Sequence, residues 1–117
     1  MAITSEIIGK LGGADVDVIP VEGVASGRNG SSETLATIDV PAGETWLVAA
    51  IGQVATEASS GTRFPDLHLG GVSRPAVGPD GTHGLATIAS ETVRFTIKRN
   101  FTSGADSYTG HVYTVKL

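Results

Sequence analysis

The residues able to do chemistry are few. Three histidines, His68, His83 and His111, are the candidate metal-ligating side chains. Asp66 and His68 lie two apart, which on a strand puts both on one face and is compatible with shared metal ligation. A complete site needs a further ligand to converge on them, such as His83, His111 or Asp80. No spacing in the chain matches a recognised metal pattern, so ordinary hydrogen-bonded histidines are the expectation. The absence of cysteine removes thiolate zinc sites, a Cys nucleophile and disulfides. Serines are plentiful, but no Gly-x-Ser-x-Gly elbow presents one to a base. Glu44, Glu57, Asp66 and Asp80 fall in or near loops. Glycoside hydrolysis needs two carboxylates held at a set separation in a cleft, and 117 residues leave little room for one. No glycine-rich phosphate loop precedes a helix. The expectation is a protein without catalytic residues, metal or cofactor, and not an enzyme.

Binding chemistry is a fairer prospect. Small β-sandwich modules hold glycans on exposed aromatic rings, and the candidates are Trp46, Phe64, Phe101, Tyr108 and Tyr113. Trp46 sits in the most apolar segment and belongs to the core. Phe64, beside Pro65, and Phe101, in a turn, are the rings expected to be exposed. An exposed loop aromatic equally suits a protein interface. Asn29-Gly30-Ser31 and Asn100-Phe101-Thr102 match the N-glycosylation pattern, which carries no weight without an export signal.

The elements that must position these residues are strands. The chain has the length of one ordinary domain. Sixteen glycines, with many Thr, Ser, Val and Ala, give a turn-rich all-β composition. Net charge is -4 and the eight Lys and Arg are scattered, which argues against a nucleic-acid groove or an anionic membrane surface. Charged residues make up 17%, against about a quarter in an average soluble domain. A surface so poor in charge is best explained if part of it is covered by partners. The N-terminus shows no basic region followed by a long apolar one, so neither a signal peptide nor a transmembrane helix is expected.

Residues 1–13 read as a separate arm or docking segment, and 14–117 as the β domain. The arm carries Ile3, Ile7, Ile8 and Leu11, with the last three on one face of a short helical turn, although Gly9, Gly12 and Gly13 weaken any helix. Ala14 to Val21 alternates, with Val16 and Val18 assigned inward. Pro20 makes it an edge strand. Asn29-Gly30 is a strong turn signal. Thr34 to Ile51 reads as strand, tight turn at Pro41–Gly43, strand, forming a hairpin. Its second strand, Trp46 to Ile51, is apolar on both faces, the mark of a strand covered on both sides. Asp66 to Leu69 is a short strand, and Gly70 to Gly84, rich in Gly and Pro, a long loop. Leu85 to Ile88 is a strand. Glu91 to Lys98 alternates most cleanly, with Val93, Phe95 and Ile97 inward. Tyr108 to Leu117 is the last strand, with His111, Tyr113, Val115 and Leu117 on one side. Leu35-Ala36-Thr37-Ile38 recurs as Leu85-Ala86-Thr87-Ile88, an echo short enough to arise by chance. About eight short strands with minimal helix point to a single-domain β-sandwich or jelly roll.

Three stretches together carry a resemblance: Met1 to Gly13, Leu35 to Val48 and Tyr108 to Val115. They resemble small virion proteins of tailed viruses of bacteria and archaea, of the head-decoration and tail-accessory kinds. The resemblance implies a capsid decoration protein, or else a tail or receptor-binding subunit, assembled in the host cytoplasm. It implies a homo-oligomer, often a trimer, whose partners are sister copies and the major capsid protein or other virion proteins. Ile3, Ile7, Ile8, Leu11, Phe64 and Phe101 are the expected interface residues. Outside that class, a carbohydrate-binding sandwich module is the alternative.

Overall fold

Eight strands pair in a nested order. β1 (Val16–Ala25), β2 (Ser32–Ile38), β3 (Trp46–Thr56), β4 (Asp66–Leu69), β5 (Val72–Pro75), β6 (Thr82–Ala89), β7 (Val93–Lys98) and β8 (Asp106–Lys116) follow one another along the chain. β1 pairs with β8, β2 with β7, β3 with β6 and β4 with β5, all antiparallel. This is a long hairpin rolled up into two facing sheets, the jelly-roll arrangement. The first sheet has the order β1-β8-β3-β6 and the second β2-β7-β4-β5. This computed structural model describes residues 16–56, 64–76, 81–100 and 104–117, and no helix occurs among them. The proposed arm, with Ile3, Ile7, Ile8 and Leu11, and also Glu57, Asp80 and Phe101, lie outside the described residues.

The core follows from period-2 geometry. Val48, Ala50 and Val54 of β3 and Tyr108 and Val112 of β8 point inward from the first sheet. Leu67, Leu69, Val93, Phe95 and Ile97 meet them from the second. The Phe95 and Tyr108 rings meet edge to face across the sandwich, 4.9 Å apart at 78°. Room for the tyrosine comes from Gly52, and Gly110, its partner across β3 and β8, lets the two backbones approach where a Cβ would meet the Ile51 carbonyl. A side chain on Gly52 would run into the Tyr108 hydroxyl and the Thr109 carbonyl.

The structure corrects three expectations and adds a fourth point, an ion pair on which the sequence was silent. First, Thr34–Ile51 is not a hairpin. β2 belongs to the second sheet and β3 to the first, so the turn at 41–44 carries the chain from one sheet to the other. The turn itself forms as expected: Glu44 N donates to the Pro41 carbonyl at 3.1 Å, and Gly43 takes the left-handed φ of 83°. β6 and β7 cross between the sheets in the opposite sense, and Thr92 Oγ1 donates to Asp39 Oδ1 at 3.2 Å between the two crossings. Second, Val16 and Val18 face outward, because their register partners are Val115 and Tyr113. β1 is an edge strand, but it runs past Pro20 to Ala25. The missing proline N–H is tolerated at an edge. Third, Gly70–Gly84 is not one loop. Gly70 and Gly71 turn the chain into β5, which pairs with β4. Fourth, residues flanking the turn before β8 form a buried ion pair. Arg99 Nε lies 3.0 Å from Asp106 Oδ2, with side-chain exposures of 0% and 3%, and Arg99 Nη1 donates to the Gly27 carbonyl at 2.8 Å. It joins the end of β7 in one sheet to the start of β8 in the other.

Candidate functional site

The histidines do not come together. His68 stands on the outer face of the second sheet and His111 on the outer face of the first. His83 is buried on the inner face of β6, opposite Gly52. Asp66 and His68 do share a face. Their cross-strand neighbours there are Lys98, Pro75, Thr96 and Ser73, a cation, a proline and two hydroxyls rather than further ligands. His68 Nε2 is buried and has no hydrogen-bond partner among the described residues. No group of three or more His, Asp and Glu side chains gathers at one point among those residues. Glu44 is engaged locally: its Oε1 accepts from Trp46 Nε1 at 2.9 Å and lies 3.7 Å from Lys116 Nζ.

The aromatic candidates also separate. Trp46 is half-buried and packs against the core. Phe64 was expected to be exposed. It is half-buried, and its carbonyl accepts from Asn100 Nδ2 at 2.9 Å. Tyr108 is buried beneath Phe95 and offers no ring to a sugar. Its hydroxyl has no hydrogen-bond partner among the described residues. Burial, and secondarily the neighbouring Tyr113, push its pKa up to about 12. Tyr113 remains half-buried on the first sheet's outer face, 6.1 Å from His111 ring to ring.

That outer face is the distinctive surface. Register arranges it in rows across β1, β8, β3 and β6. The first row is Val16, Val115, Leu47 and Ile88, and the second Val18, Tyr113, Ala49 and Ala86. The third is Pro20, His111, Ile51 and Gly84. The fourth turns polar, with Glu22, Thr109, Gln53 and Thr82. Three successive rows therefore contain no carboxylate, lysine or arginine. A depression of about 450 Å³ opens there, lined by Val16, Leu47, Ala49, Ile51, Ala86, Tyr113 and Val115. Ile88, Val18 and Ile51 are 55%, 51% and 47% exposed. Contiguous exposed apolar surface of this kind marks an interaction site more often than an isolated exposed valine does. Val115, in the first row, is buried apart from the main core.

The sequence contained this signal. The run Trp46–Ile51 is apolar at every position, and β8 adds Tyr113 and Val115 on the same side. A run apolar on both faces was read as a strand covered on both sides. In a two-layer sandwich one of those faces has no third layer, and among the described residues this one stays open. The arrangement is suited to binding an apolar surface by desolvation. The chain matches no protein-family model and no curated protein.

Proposed function

We propose that this is a non-enzymatic structural virion protein, a capsid decoration protein of a tailed virus that works through protein–protein contacts. One observation carries the contact reading: a sheet with two apolar faces in a sandwich whose described residues cover only one. The virion reading is supported by the sequence resemblance, the low proportion of charged residues and the β-sandwich fold that the resemblance implies. The mechanism is mechanical. Sister copies associate through the apolar face, and many modest interfaces together stabilise a particle by mass action.

Two measurements test it. Light scattering on the full chain is expected to give a symmetric oligomer. Mass spectrometry of gradient-purified virus particles from the encoding host is expected to find the chain among head proteins in many copies. Its recovery with tails would move it to the tail or receptor-binding reading. A monomer absent from particles that binds a glycan array saturably would overturn the proposal in favour of a sugar-binding module.

A further inference from the structure

The apolar face has a candidate occupant within the same sequence. We propose that the N-terminal segment of a sister subunit, residues 3–11, seats in the depression on the first sheet. This rests on the self-association reading above and names the part of the partner that makes the contact. Fifteen residues precede Val16, and Val16 itself stands in the apolar first row of the face. The preceding chain therefore starts at the rim of the surface to be covered. Ile3, Ile7, Ile8 and Leu11 have the spacing that puts apolar side chains on one side of a helical turn where one forms. Between them stand only Glu6 and Lys10 as charged residues, so the segment offers an apolar stripe to a face without charge.

Magnitude separates this occupant from a flat second copy. Three rows over four strands span about 15 Å by about 13 Å between outer positions, and roughly 300 Å² with side chains included. Two such patches pressed together bury about 600 Å², short of the about 1,000 Å² that a specific interface needs. A segment lying on the patch adds its own surface, and each large aliphatic side chain fully buried contributes about 1.5–3 kcal/mol. Exchange of identical segments between copies is a low-cost route to a closed oligomer. Gly12 and Gly13 allow the chain to leave β1 in either direction, and residues 12–15 reach about 13 Å when extended.

The lack of native cysteine makes the test direct. Full chains carrying Ile7→Cys and Ala49→Cys on separate molecules are co-expressed and oxidised, and a chain carrying both is oxidised alone. Light scattering compares wild type with the full-length double variant Ile7→Asp, Ile8→Asp. We expect a disulfide between molecules in the mixture and a fall of the wild-type oligomer to single-chain mass in the aspartate variant. A wild-type oligomer that survives the aspartates with no 7–49 cross-link overturns the inference and leaves self-association standing. A monomer cross-linked within one chain overturns the exchange and assigns the cover to the chain's own segment. A monomer with no cross-link overturns both readings.

Discussion

The two sheets of this sandwich treat their outer faces differently. On the second sheet the rows read Ser32, Lys98, Asp66, Pro75 and then Thr34, Thr96, His68, Ser73. On the first they read Val16, Val115, Leu47, Ile88 and then Val18, Tyr113, Ala49, Ala86. Both sheets present apolar inner faces to one core. The second sheet is finished when the sandwich closes, because its outer face is compatible with water. The first is not: it has the composition of a middle layer. The contrast separates a face that follows inside–outside alternation from one that breaks it, and the second is where the contact reading is to be tested.

The comparison can be broken or sharpened by mutation. The largest effect is expected where the sheets are joined. Asp106→Ala leaves the Arg99 guanidinium buried without its carboxylate and should cost about 3–5 kcal/mol in urea unfolding. A loss under 1 kcal/mol would mean that the pair does not hold the sheets together. Next, Leu67→Ala on a closed inner face should cost about 2–5 kcal/mol, while Leu47→Ala on the open face should cost the folded monomer about 1 kcal/mol or less. Equal costs would show that the outer face is already covered within one chain.

Alkaline pH probes the inner face. The folded Tyr108 phenol titrates at about 12 and the unfolded one at about 10. Stability is therefore complete below pH 10 and falls as pH rises towards 12, because the unfolded chain ionises first. The loss should total about 2–3 kcal/mol across that window. Tyr108→Phe removes a hydroxyl that has no partner among the described residues, so it should fold as well as wild type and lose this alkaline step. Persistence of the full step in the phenylalanine variant would assign it elsewhere. The smallest effect on folding belongs to the open face. Ile51→Lys with Ile88→Lys should change monomer stability by about 0.5 kcal/mol or less per site, yet weaken self-association at least about tenfold. Thr96→Lys on the second sheet should leave association unchanged. If both variants associate alike, the distinction between the two faces fails.

Much of the fold was legible from alternation and turn chemistry. β4 has the expected bounds, β7 the expected inward residues, and β1 its edge position. Asn29-Gly30 turns as expected, with Ser31 N donating to the Arg28 carbonyl at 3.0 Å. What failed was long-range. A strand, turn, strand pattern looks the same whether the strands pair or cross to opposite sheets. For Thr34–Ile51 the answer lies with β7, β6 and β8, far along the chain. Alternation likewise put Val16 and Val18 on one face without saying which. Arg99 and Asp106 carry no local signal of burial, because nothing near them in the sequence reveals that two sheets close over them. The open face was half legible: its apolarity is in the sequence, but its lack of a covering layer appears only once the sheets are assembled.

The nested pairing has a further consequence for how the chain reaches this state. β4 and β5 are joined by a two-residue turn, whereas β1 and β8 come from opposite ends of the described chain. Loop closure is therefore cheapest at the centre of the roll and dearest at its outside. Closure is expected to run outward, with the β1–β8 pairing last. Kinetic φ-values should then be high around Leu67 and low around Val21, and the reverse order would contradict it. On this route the open apolar face is completed only in the final step. A newly made copy then acquires its apolar outer face when the rest of it is already folded, so the association proposed above would involve only finished molecules.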